Sequence, residues 1–119
     1  IVQTLSNTPT AFGVFGYSFL EQNGDRIHGS IVGGVEPTYD AISSGEYPIS
    51  RSLFLYVKNQ HVGVTPGMEA FIEEVTSEDA WGPFGYLADR GLVALPDARR
   101  AQAAERARAL EPMDAPEEG

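Results

Sequence analysis

The sequence predicts an α/β fold. Three observations carry that expectation. Short helical and extended segments alternate along the chain, the run Leu53–Val57 is apolar without a break, and residues 68–75 repeat apolar side chains at helical spacing. The apolar run is the most informative of the three. A strand with one face in water alternates apolar and polar residues, whereas LFLYV does not, so both of its faces need cover.

The elements follow in order. Residues 1–9, IVQTLSNTP, read as the last turns of a helix that Asn7 and Pro9 stop. Phe12 to Phe15 suits a short strand that turns at Gly16 into a short helix, and Asn23-Gly24-Asp25 is a turn signal. Ile27 to Val32 suits a second strand, ended by Gly33-Gly34. PTYDAISSG (37–45) reads as a short helix, with Pro37 or Thr38 at its start and Gly45 as a left-handed stop. The third strand, 52–57, follows. Thr65 is placed to cap a helix with Pro66 at its first position. In that helix Met68, Phe71, Ile72 and Val75 share one face, opposite Glu69, Glu73 and Glu74. Ser77 can cap the next helix, which Pro83 and Gly85 must bend or split. Leu92 to Leu95 is a short strand or an extended link. Asp97 then opens an alanine- and arginine-rich helix that Leu110 and Pro112 close.

Composition limits the function. The 119 residues suffice for one domain with a core, and the net charge of −9 disfavours nucleic acid and anionic membrane surfaces. Four of the negative charges, Glu111, Asp114, Glu117 and Glu118, sit in residues 111–119, which read as a disordered acidic tail. Without them the charge is −5. There is no cysteine, which removes disulfides, thiolate catalysis and cysteine-held metals. No apolar run is long enough to span a membrane. The chain opens in mid-helix on Ile1, and with only three credible strands an N-terminal portion is expected to be missing.

Catalytic constellations are not evident. His28 and His61 stand apart from other ligand types, and Glu73-Glu74 and Glu78-Asp79 are helix neighbours that point in different directions. GVFG and GPFG lack the lysine of a P-loop and the spacing of a dinucleotide fingerprint, so they read as turns and close-packing sites. The arginines of the last helix (Arg99, Arg100, Arg106, Arg108) read as a solvated face. Ser50-Arg51-Ser52 alone groups a guanidinium with hydroxyls, at the mouth of the apolar run, and the competing reading pairs Arg51 with a carboxylate such as Glu46. The chain is therefore expected not to be an enzyme.

Three longer stretches, taken in order, carry a resemblance: TPTAFGVFGYSFLEQN (8–23), GVEPTYDAISSGEYPISRSLFLYVKNQHVG (34–63) and PGMEAFIEEVTSEDAWGPFGYLADRGLVALP (66–96). Together they closely resemble the C-terminal part of the PstS-type phosphate-binding proteins of bacterial ABC importers, over residues 1–110. YPISRSLF with GYLADRGLVALP is the specific part. Thr10 stands where the family often has glycine, and Ser52 where it usually has proline.

The resemblance implies the C-terminal portion of a type II periplasmic-binding-protein fold, two α/β lobes joined by crossover strands, without its N-terminal part. Residues 1–46 would end the second lobe, 47–52 would form the hinge crossover and 53–110 would complete the first lobe. It further implies a periplasmic receptor that binds inorganic phosphate and delivers it to an ABC permease in the inner membrane, with no cofactor. The family's oxyanion motifs, an "R…SGT"-like stretch among them, do not occur here, so no ligand residue carries over. Tyr47, Ser50 and Arg51 are left as hinge or indirectly supporting residues. The surface left open would be covered by the missing N-terminal portion or by self-association. The alternative is a self-associating binding or signalling domain of the same family that stands alone, with no phosphate site of its own.

Overall fold

The computed structural model describes residues 1–114. Among these residues six α-helices are joined by turns and irregular links: α1 (Val2–Asn7), α2 (Tyr17–Gln22), α3 (Tyr39–Ser44), α4 (Met68–Val75), α5 (Glu78–Trp81) and α6 (Asp97–Arg108). Single 3₁₀ turns cover Asn59–His61 and Ala88–Arg90. Residues 111–114 of the expected tail have no regular secondary structure, and 115–119 lie outside the described residues.

The α/β expectation is overturned, and with it the crossover strands of the two-lobed fold: among the described residues there is no β-sheet. Phe12–Phe15, Ile27–Ile31 and 52–57 have no regular secondary structure. The physical reason is that a strand exists only through a partner, since its N–H and C=O groups point sideways and bond across to a neighbour. An apolar run states a demand for cover and supplies none. The one bridge is local: Val32 and Val35 exchange both backbone hydrogen bonds at 3.0 Å across Gly33-Gly34. Both glycines have positive φ (60° and 83°), which a two-residue hairpin turn requires.

Helix ends follow side-chain chemistry in most places. Thr38 Oγ1 accepts the Ala41 N–H at 3.2 Å at the start of α3, and Gly45 closes that helix at φ 83°. Ser77 Oγ accepts the Ala80 N–H at 3.2 Å at the start of α5. The start of α4 differs from expectation: Gly67, at φ 82°, precedes the first helical residue Met68, so Pro66 lies outside the helix and Thr65 does not cap it. α6 begins at Asp97 after Pro96, and its C-terminus closes at Leu110, whose φ is 53°. There the Leu110 N–H donates to Ala107 O and the Glu111 N–H to Arg106 O, both at 3.1 Å, the paired bonds of a Schellman end with leucine where glycine is usual.

Packing concentrates in the C-terminal half. α4 turns Ile72 inward, 3% exposed, while Phe71 on the same apolar face remains 55% exposed. After α5 the chain folds back so closely that a Cβ on Gly82 or Gly85 would run into the carbonyl oxygens of Glu78 or Ala80. The Tyr86 and Leu87 N–H groups then donate to Asp79 O and Ala80 O at 2.9 and 3.1 Å. GPFG is thus a tight reversal.

Two arginines of α6 fasten this unit. Arg100 is 6% exposed. Its Nε and Nη2 donate to the two oxygens of Glu78 at 2.8 and 2.9 Å, Nη2 also reaches Asp97 Oδ1 at 3.0 Å, and Nη1 donates to Leu95 O at 2.8 Å. The Glu78 bonds, the largest cause, raise its pKa above the usual arginine value. Two turns on, Arg108 Nε donates to the buried Thr76 Oγ1 and Nη2 to Thr76 O, both at 3.0 Å, while the Thr76 hydroxyl donates to Ile72 O at 2.7 Å. The solvated-face reading of this helix therefore fails at Arg100, because α5 brings a carboxylate to it.

The surface is larger than a compact fold of this size exposes. The accessible area is 9245 Å², against about 6,300 Å² for a compact monomer of the same mass. The radius of gyration is 17.7 Å, against about 13–14 Å.

Arg100→Met keeps the aliphatic packing and removes every one of these bonds. It is expected to cost about 2–3 kcal/mol in denaturant unfolding. Gly91→Ala combines a φ of 94° with a Cβ that overlaps Ser18 of α2. It is expected to cost about 1–3 kcal/mol, read as a lower thermal midpoint.

Candidate functional site

The segment singled out by the sequence, Tyr47–Ser52, leaves α3 through a series of directed bonds. The Tyr47 N–H donates to Ala41 O at 2.9 Å, returning the chain along the helix it has just left. The Tyr47 ring is buried, and its hydroxyl donates to Ser30 O at 3.0 Å, tying the 27–32 segment to the end of α3. Ser50 closes the turn: its N–H and its hydroxyl both donate to Tyr47 O, at 3.0 and 2.8 Å. Pro48 packs beside Gly33 at the hairpin turn.

Tyr47 and Ser50 are thus brought together, and Arg51 is not. Arg51 is exposed and forms no ion pair with Glu46 or any other carboxylate among the described residues. Beyond it the chain is irregular and bare: Leu53, Phe54, Leu55 and Tyr56 are 76, 74, 57 and 71% exposed. Four consecutive large apolar side chains in water form the least self-sufficient part of the surface.

Two concavities on the C-terminal helices offer little to an anion. A cleft of about 240 Å³ between α4 and α6 is lined by Glu69, Ile72, Glu73, Arg108 and Leu110. Its one guanidinium is already bound to Thr76, and two carboxylates face the same space. A shallower hollow of about 430 Å³ is lined by Gln102, Glu105, Arg106, Ala109 and Glu111, and there Arg106 pairs with Glu111 at 3.1 Å. An oxyanion is held by converging N–H, hydroxyl or guanidinium donors, and carboxylates oppose it. His28 and His61 are exposed, and no group of three or more His, Asp or Glu side chains among the described residues could hold a metal ion. No helix among the described residues is long and apolar enough to cross a membrane.

Sequence reasoning passed over a second cluster. Tyr39 and Ser43 of α3 reach the backbone of Ala94, the Tyr39 hydroxyl accepting the Ala94 N–H at 3.1 Å and the Ser43 hydroxyl donating to Ala94 O at 2.5 Å. The available signal was the i, i+4 spacing of two hydroxyls on one short helix, which places them on one face. Trp81 was also overlooked: its Nε1 is buried and has no hydrogen-bond partner among the described residues.

The sequence matches the profile described as a PBP superfamily domain over residues 2–79. It is 38% identical over 103 residues to the phosphate-binding protein PstS of Staphylococcus haemolyticus, a match covering 82% of this chain and 31% of that protein. It is 32% identical to the PstS proteins of Staphylococcus saprophyticus, over 101 residues, and Staphylococcus epidermidis, over 105 residues. Each of those matches covers 81% of this chain and 30% of the relative. The chain therefore spans about a third of the length of these curated relatives. No solved structure matches it.

Replacing Leu53 and Phe54 together by serine tests the exposed run. Side chains already in water lose little on becoming polar, so unfolding of this chain is expected to shift by less than about 0.5 kcal/mol, with weaker hydrophobic-dye binding. A loss above about 2 kcal/mol would show the run to be covered.

Proposed function

Since the chain belongs to the PBP superfamily, we propose that it forms the C-terminal third of a PstS-type receptor that binds inorganic phosphate outside the cytoplasm and delivers it to an ABC permease. Its place would be the periplasm. The observation that carries this reading is similarity over four-fifths of the chain to proteins named for phosphate binding. On this reading the chain is a binding protein rather than an enzyme.

The geometry supports a contributory role. The two clefts described above are lined in part by carboxylates, and the donors that hold phosphate would then come from elsewhere in the receptor. The excess surface and the bare run Leu53–Tyr56 would then be covered by the rest of the receptor. Residues 47–52 would act as the hinge between the parts on either side: Tyr47 and Ser50 fix the turn, and Arg51 is left free to meet a group outside this chain. Directed hydrogen bonds at one end of a hinge and a segment without regular structure at the other allow rotation to be localised there.

Isothermal titration calorimetry tests the proposal. The intact receptor is expected to bind inorganic phosphate at micromolar or tighter Kd, and residues 1–119 alone to show no heat of binding at millimolar phosphate. Micromolar binding by residues 1–119 alone would overturn the contributory role, and failure of the intact protein to bind phosphate would overturn the function.

A further inference from the structure

Two halves of this chain meet along one short strip. The first half is α2 and α3. Burial, with Glu21, Tyr39 and Asp40 close by, pushes the Tyr17 phenol above the usual tyrosine value, and Leu20 and Pro37 close over Gly29 with no room for a Cβ. The second half is the α4–α5–α6 unit fastened by Arg100 and Arg108. The link between them has no regular structure from residue 51 to 58. Such a link limits the separation of the halves and leaves their angle free.

The strip is Gly91–Leu95. Ser18 of α2 packs on Gly91, and one face of α3 grips Ala94 by both polar groups of its backbone, the N–H through Tyr39 and the C=O through Ser43. Ala94 is buried. The next carbonyl, Leu95 O, accepts from Arg100, so the grip continues through α6 to Glu78 in α5. Hydrogen bonds to one residue's two peptide groups, from side chains one helical turn apart, define a direction as well as a contact.

We propose that Tyr39 and Ser43 form a latch on the Ala94 backbone that sets the angle between the two halves, and that breaking this latch weakens the phosphate affinity of the intact protein. The second clause rests on the function proposed above, and the first does not. Tyr39 and Ser43 are positioning residues. Without them the halves sample more orientations, the binding-competent fraction falls and the apparent Kd rises in proportion.

The test uses the intact protein and three measurements. Tyr39→Phe removes the acceptor and keeps the ring, and Ser43→Ala removes only a hydroxyl. Either is expected to speed hydrogen exchange at the Ala94 amide at least tenfold while the amides of α6 stay unchanged. Spin labels at Asp25 and Gln102 are expected to give a broader distance distribution. Phosphate Kd is expected to weaken about three- to tenfold, consistent with a smaller competent population, and Ser43→Thr, which keeps the hydroxyl, is expected to retain the wild-type value. Unchanged exchange with an unchanged distance distribution would overturn the latch. A broadened distribution with unchanged or tighter Kd would overturn its control of affinity. If wild-type protein binds no phosphate, the function and the affinity clause fall together, and exchange and distance still decide the latch. Ser43→Ala carries the test should Tyr39→Phe not fold.

Discussion

The guanidinium of Arg100 is the constraint on which the rest depends. A buried cation is tolerable only when its donors are met, and four hydrogen bonds from three elements meet this one. Glu78 sits in the first turn of α5, where a carboxylate also suits the helix dipole. Leu95 O fixes the strip before α6. The geometry of α5, of the 91–95 strip and of α6 therefore converges on one side chain, and α4 joins through Arg108 and Thr76 eight residues along the same helix.

Against that polar anchorage the apolar core is small. Among the described residues, the large apolar side chains that are buried are Ile72 and the ring of Tyr47, and the rest of the buried apolar set is alanine. Hydrophobic burial normally supplies most of the favourable free energy of folding. Here much of the apolar material, Leu53 to Tyr56 with Phe12, Val14 and Phe84, lies on the outside. A fold arranged this way is held in shape by directed hydrogen bonds and lacks the burial that would make it self-sufficient. This agrees with a chain that spans about a third of its relatives.

What could be read from the sequence follows from how local each signal is. Thr38, Gly45 and Ser77 act within one helical turn, so the limits of α3 and the start of α5 were legible. The sequence marks Gly33-Gly34 only as the end of a strand, whereas in the structure it is the turn of the Val32–Val35 bridge. The strands were not legible, because LFLYV shows only that its faces need cover and cannot show that a neighbour is present to pair with. Gly67 moved the start of α4 because its left-handed backbone outweighed the Thr65-Pro66 signal. At the candidate site, Tyr47 and Ser50 came together through local bonds, whereas the expected pairing of Arg51 with Glu46 does not form, and Arg51 stays exposed. Arg100 and the Tyr39–Ser43 pair were missed because their partners lie 22 and more than 50 residues away.

The lone tryptophan has a practical value of its own. The indole N–H of Trp81 is withdrawn from water without a protein acceptor among the described residues, at the end of the helix that Arg100 holds. Indole emission responds to hydrogen bonding at that nitrogen and to the polarity around the ring. With a single tryptophan in the sequence, the intrinsic fluorescence of this chain is an unlabelled optical gauge of whether the neighbourhood of α5 has acquired the acceptor it lacks.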